Sequence, residues 1–333
     1  MKNLYFILIL ALFGQFSSAN EVNVYTSRHY DSDPGLYQEF TNETGVKVNI
    51  ISGKGSALLE RIKAEGKNSP ADIFFTVDAG NLWKVQKENL LQSITSTRVL
   101  DAVPDNLKGP DNQWTAIAKR ARVIFYNPLM VEETEINNLN YEDLADSKWK
   151  NRIVIRSSNN MYNQSLVASL IANLGETQTE SWAKKLVSNF ARKPQGNDRS
   201  QIMAVANGEA DIAIANSYYI GIMLSGSAGE EQLNAAKKVK MLFPNQDNRG
   251  VHINISGAGI LKYAPNVENA NLFLEFLLSK KAQKYMVEKS YEYPVLEGIL
   301  PSKEIASFGL DFVEDQISVK QFGEFNPNAV RLM

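Results

Sequence analysis

The chain has no cysteine and only two histidines, His29 and His252, among its 333 residues. Disulfides and thiolate metal sites are therefore excluded, and so is a zinc site built from several imidazoles. A metal centre in this protein must rest on oxygen donors, joined by one imidazole at most. Strong charge is missing too. The 35 Lys and Arg residues nearly match the 37 Asp and Glu residues, net charge is -2, and no basic run occurs, so composition gives no support for a nucleic-acid partner. After the N-terminus no apolar run is long enough to suggest a membrane span. What remains is 44% apolar and 22% charged residues, an ordinary globular composition, in a chain long enough for two domains.

The first residues follow the three-part export pattern. Lys2 precedes the apolar run Leu4 to Phe13, which is too short to span a bilayer, and Ser17-Ser18-Ala19 supplies small residues for cleavage before Asn20. Residues 1–19 are read as a signal peptide. The position after the cleavage point is not cysteine, so no lipid is attached there, and the mature protein is expected in the periplasm.

The rest alternates between two periodicities. Val22 to Tyr25, Val46 to Ile51 and Asp72 to Val77 read as strands, with helices predicted over Pro34 to Thr44 and Ser56 to Glu65. A second β/α unit starts near residue 150. It has strands at Arg152 to Ile155 and Asp211 to Ala215, and helices at Gln164 to Leu174, Trp182 to Phe190 and Ile202 to Asn207, with Asn197-Asp198 as N-cap and Gly208 as C-terminal stop. Such a rhythm implies an α/β fold with largely parallel sheets. Two extended segments, Trp114 to Tyr126 and Lys238 to Leu261, are either a two-strand hinge between lobes or strands within one sheet. Val267 to Val287 reads as one apolar helix.

In open α/β sheets ligands bind beyond the carboxyl ends of the strands. Three such turns carry tyrosine: Ser27-Arg28-His29-Tyr30-Asp31, Ser157 to Tyr162, and Asn216-Ser217-Tyr218-Tyr219. A single tyrosine there is ordinary packing; three equivalent turns suggest a shared purpose. Phenol, with a pKa near 10, ligates at neutral pH only an ion acidic enough to displace its proton. Ferric iron is small, hard and trivalent, and several phenolates would neutralise it. Zinc prefers Cys and His, and calcium prefers carboxylates and carbonyls.

The segments SRHYDSD, SPADIFFTVDAGNLW, KRARVIFYN, KWKNRIVIRSS and NSYY, in that order from about Val22 to Tyr293, resemble the periplasmic ferric-ion-binding protein family. Members of that family are the substrate-binding components of ABC iron importers. The resemblance implies a two-lobed, transferrin-lobe-like type II periplasmic binding fold with a two-strand hinge. Residues 20–118 plus 252–290 would form the N-terminal lobe, 119–251 the C-terminal lobe, and 291–333 a segment packing on both. It also implies metal ligands at Tyr218 and Tyr219, at Tyr162 from the same lobe, and at His29 and Tyr30 from the other. Where some family members carry a ligating Glu after the third strand, this chain has Val77, consistent with Tyr30 and Tyr162 replacing it. Arg120 and Arg122 match the family's hinge arginines, of which one would face the cleft and offset phenolate charge or hold carbonate or another small anion. The partners implied are ferric ion (Fe3+) as cargo and an inner-membrane ABC permease, with the protein acting as a monomer.

Two other readings stand beside this one: the same fold holding an organic solute such as thiamine or a polyamine, and a periplasmic enzyme using His29 as general base. Ser52 to Ser56 lacks Walker A spacing and reads as a βα turn capping the next helix. His252 and the four tryptophans read as packing residues.

Overall fold

The computed structural model describes residues 20–333, so the expected signal peptide lies outside the described residues. Its strands are β1 (Glu21–Thr26), β2 (Lys47–Ser52), β3 (Ile73–Val77), β4 (Leu91–Gln92), β5 (Thr115–Tyr126), β6 (Ile153–Val154), β7 (Ile212–Asn216), β8 (Lys240–Leu242), β9 (Ile253–Leu261) and β10 (Tyr293–Pro294). Among the described residues they join in the order β2-β1-β3-β9-β5-β7-β6, with β4 on β9 and with β8 and β10 on β5. β1 runs parallel to β2 and β3, and β6 parallel to β7, as the crossover helices require. β5 and β9 are antiparallel to their neighbours.

β5 organises the molecule. From Thr115 to Ala121 it pairs with β9, and from Arg122 to Tyr126 with β7. The two extended segments of the sequence therefore pair with each other, and one of them also carries the chain from the first half of the sheet into the second. Two apolar cores lie on either side of this exchange. One gathers Val24, Phe40, Phe74, Leu82, Trp114 and Phe273. The other gathers Ile124, Trp149, Leu166, Val205, Ile214 and Met223, and it also takes in Tyr30 and Val77 from the first half of the chain. That intrusion means the cleft between the halves is closed.

The strands expected at β1, β2, β3, β5, β6 and β7 agree with the observed ones to within about two residues, while the extended segment Lys238 to Leu261 is two strands, β8 and β9. Two helices begin earlier than expected, at Met161 and Glu176, and a third begins at Asp198, beside its expected cap. The first and third are fixed by Asn160 and Asn197, whose side chains accept the Tyr162 and Ser200 amides. The single helix expected over Val267 to Val287 is two helices, Val267–Leu277 and Lys280–Ser290. Ser279 breaks it by accepting the Ala282 amide as a fresh N-cap. The Ser52 to Ser56 turn does lead into a helix, Gly55–Glu65, but no side chain caps it.

The last forty residues run across both halves. The helix Lys320–Glu324 lies against the Ala79–Lys87 helix so closely that a Cβ on Gly323 would sit 2.1 Å from Trp83. Asn326 donates to Gln164 on the other half, and Phe322 meets the His252 ring edge-on at 4.7 Å.

Candidate metal-binding site

Each tyrosine of interest follows a strand end, and closure of the cleft brings all of them together. Tyr30 lies in the loop between β1 and the helix Asp33–Thr44, Tyr162 in the first turn of Met161–Leu174, and Tyr218 and Tyr219 at the start of Tyr218–Leu224. The Tyr162 and Tyr218 hydroxyls are 3.5 Å apart. The Tyr30 ring meets Tyr218 edge-on at 5.6 Å, and the Tyr218 and Tyr219 centroids are 4.2 Å apart. All four side chains are buried, yet the Tyr30 hydroxyl has no hydrogen-bond partner. A buried, unsatisfied hydroxyl aimed into a cluster of phenols is a costly arrangement unless something else completes it. His29 stacks on Tyr30 at 5.3 Å but remains an exposed residue, at the rim of the cluster. Loss of hydration around its ring, followed by the charges of Arg120 and Arg28, lowers its pKa and keeps it neutral, with a lone pair free to ligate.

Burial dominates the electrostatics of the phenols. It raises Tyr30 and Tyr218 well above the ordinary phenol value, and raises Tyr219 as well. These groups are therefore neutral until an ion displaces their protons.

Three arginines lie against the phenols. Arg28 lies over the Tyr30 ring at 4.5 Å, Arg120 is 5.9 Å from both the Tyr162 and Tyr218 rings, and Arg156 is 5.3 Å from the Tyr162 ring. Arg120 faces the cluster, and its Nε and Nη1 are buried without partners. Arg122 does not face it: this guanidinium donates to Asp198 at 2.5 Å, Asn163 at 2.6 Å and Asn216 at 3.1 Å, tying β5 to the second half.

The sequence reading missed the residue that holds two of these cations. Glu292, buried and just beyond the helix Lys280–Ser290, accepts from Arg28 at 3.0 Å and Ser256 at 2.6 Å. It also lies 3.6 Å from Arg120. Burial alone would raise its carboxyl, but Arg28 and Arg120 hold it below the usual carboxylate range. No local motif marks Glu292; only the fold brings it beneath residue 28. Arg28 was more legible, since it adjoins His29-Tyr30 and sits five residues before Asp33, which it grips through Nε and Nη2 at 2.9 Å each.

Among the described residues, no three His, Asp or Glu side chains converge as metal ligands. The oxygen donors gathered here are phenols, a set suited to a hard, strongly acidic cation and poorly suited to zinc or calcium.

Comparison with known proteins is consistent with this chemistry. Residues 68–314 match the family model described as bacterial extracellular solute-binding protein. The chain is 50% identical over 313 residues to iron uptake protein A1 of Synechocystis, covering 94% of this chain and 86% of that one. It superposes with TM-score 0.89 and 51% identity on the Trichodesmium protein IdiA (FutA) in complex with iron and citrate ligands, covering 94% of this chain and 98% of that one. With the ferric binding protein of Campylobacter jejuni the TM-score is 0.87 and the identity 40%, over 93% and 98% of the two chains. The fold is thus the two-lobed α/β fold of periplasmic binding proteins, as expected from the sequence.

Proposed function

This chain belongs to the bacterial extracellular solute-binding protein family, and on that premise we propose that it carries one ferric ion, held in the interlobe cleft by the phenolates of Tyr30, Tyr162, Tyr218 and Tyr219. It is a binding protein of iron import, not an enzyme, as are the relatives it resembles. The observation that carries the site assignment is the meeting of four buried phenols from the two sides of the cleft, one of whose hydroxyls is left without a partner.

The residues divide the work as follows. Tyr162, Tyr218 and Tyr219 stand on the second lobe, residues 119–251, and offer three phenols to an entering ion. Tyr30, with His29 beside it, arrives from the first lobe, residues 20–118 plus 252–290, as the hinge at β5 and β9 closes. Residues 291–333 span both lobes. Arg120, beside the phenols with two buried, unpartnered nitrogens, offsets their charge and is the group that would hold carbonate or another small anion. A single chain supplies both sides of the cage, so the working unit is a monomer. It works in the periplasm, reached through residues 1–19 as an export signal, and delivers its cargo to an inner-membrane ABC permease.

Ferric loading of the purified protein tests this reading. A visible tyrosinate-to-iron charge-transfer band is expected, and Tyr218→Phe/Tyr219→Phe should abolish it. A loaded protein without colour, or a double variant that binds ferric ion equally well, would refute the phenolate site. An organic solute in the same cleft would give no such band.

A further inference from the structure

Directly after β3, where the chain turns into the helix Ala79–Lys87, Asp78 adopts φ 75° and ψ 123°. A non-glycine residue takes up such a conformation only when its surroundings dictate it, and residues of this kind gather at functional sites. The surroundings of Asp78 are specific. Its side chain is buried, with Oδ1 accepting from the Gly80 amide at 2.9 Å and from the Ser165 hydroxyl at 2.8 Å. Oδ2 accepts from the Asn254 amide nitrogen at 2.9 Å. The Gly80 bond is a helix cap and the Asn254 bond reaches the first residues of β9, so both are local to the first lobe and hinge.

The Ser165 bond is of another kind. Ser165 stands on the Met161–Leu174 helix of the second lobe, fully buried, three residues after Tyr162 and so on the same helical face. The two lobes touch closely at this point. A Cβ on Gly80 would lie 3.1 Å from the Met161 sulfur and 4.0 Å from the Ser165 hydroxyl. Glycine at the first turn of one helix thus lets the first turn of the other approach, and brings a hydroxyl to a carboxylate already held in place. Neither Asp78 nor Ser165 is among the ligands.

We infer that Asp78 and Ser165 form a latch across the cleft, which holds the closed state and sets the rate at which cargo leaves without touching the ion. The inference rests on the proposed ferric site. Opening the cleft breaks the bond between them, while the cap on Gly80 and the bond to Asn254 move with the first lobe and survive. An ionised carboxylate suits this place because it accepts on both oxygens at once, which a neutral amide cannot. The position of Ser165 on the helix that carries Tyr162 links the latch to the cage: the turn that presents the phenol also presents the hydroxyl.

Ser165→Ala tests the latch while leaving the helix cap and every ligand in place. Ferric-loaded parent and variant are compared in two ways: by the position and intensity of the charge-transfer band, and by the rate of band loss after mixing with excess competing chelator. One hydrogen bond to a buried carboxylate corresponds to a roughly 10- to 100-fold change in an equilibrium. The expected result is an unchanged band with iron released about 10- to 100-fold faster, and small-angle scattering of the loaded variant displaced toward the open form. Release within twofold of the parent overturns the inference, as does a displaced or bleached band, which would mean that Ser165 shapes the cage itself. Should Ser165→Ala fail to fold, Ser165→Cys, a weaker donor of similar size, carries the same comparison with a smaller acceleration expected. A parent that shows no band at all would instead defeat the ferric site, so the two failures are distinct.

Discussion

Ferric binding in this cleft must expel protons, and the number can be worked out from the phenols. Burial raises Tyr30 and Tyr218 well above the ordinary phenol pKa and raises Tyr219 too, so all three hold their protons in the empty protein at neutral pH. Each must lose its proton to become a ligand. The sign follows directly: protons compete with the ion for the same oxygens, so affinity falls as pH falls throughout the range below these pKa values. Each expelled proton contributes one decade of affinity per pH unit, about 1.4 kcal/mol. Three expelled protons therefore predict roughly a thousandfold loss per pH unit, about 4 kcal/mol, and ligation by Tyr162 adds to that. Two measurements check this. Competition against a chelator of known proton stoichiometry, between roughly pH 6 and 8, gives the slope once the chelator's own protons are subtracted. Calorimetry of ferric transfer in buffers of differing ionisation enthalpy counts the released protons independently. A slope near one decade per pH unit, or release of no more than one proton, would refute the phenolate cage even if iron were bound, because carboxylates or an imidazole already deprotonated at neutral pH would account for it.

Other consequences follow from groups outside the cage. Glu292→Gln removes the buried carboxylate that faces Arg28 and Arg120, and should cost about 3–5 kcal/mol of folding stability; an unchanged denaturant midpoint would show that the two arginines manage without it. His252 is held down to about 3 by burial, then by Arg122 and Arg249. The unfolded chain therefore binds a proton that the folded one refuses. The stability contributed by His252 is complete above roughly pH 6.5 and is lost toward pH 3 at about 1.4 kcal/mol per unit, a slope that His252→Gln should remove from acid denaturation curves. Gly257→Ala would place a Cβ 2.7 Å from the Thr115 carbonyl oxygen, where β9 and β5 pair; a loss of about 1–3 kcal/mol is expected in thermal melts, and an unchanged melt would mean that the strands separate freely there.

The parts of this molecule legible in the sequence are those written in local pattern. Strand periodicity located β1, β2, β3 and β7 closely, and the turns after β1, β6 and β7 carried the tyrosines in plain view. Helix starts were less legible, because Ser157-Ser158-Asn159-Asn160 offers several adjacent cap candidates and only the fold selects Asn160. The break at Ser279 was hidden because the helical spacing of apolar residues runs on past it, from Leu274 and Leu278 to Ala282 and Met286. Two features left no trace at all. Glu292 meets a partner 264 residues earlier in the chain, and Asp78 meets Asn254 and Ser165, which lie 176 and 87 residues later. The sequence distinguished Val77 as an absent ligand; the structure shows the residue beside it to be the one engaged across the cleft.

The charges around the phenols bear on which ion the cage accepts. In the proposed cage, four phenolates about a trivalent ion leave one excess negative charge. Arg28 is matched by Asp33 and Arg120 by Glu292, while Arg122 and Arg156 share the single carboxylate of Asp198. Asp78, buried at the same cleft and felt by Arg120, is a fourth carboxylate, so four guanidiniums face four carboxylates and the surroundings are close to neutral. A divalent ion with the same four phenolates would leave one more buried negative charge than ferric ion does, which the interior disfavours, unless a phenol kept its proton and ceased to be a ligand. Carboxylate ligands in the same positions would be ionised before any metal arrived, repelling one another within a closing cleft. Phenols avoid that repulsion by staying neutral until an ion acidic enough to ionise them enters. Discrimination against divalent ions therefore follows from charge, and the arginines that touch no metal have a share in it.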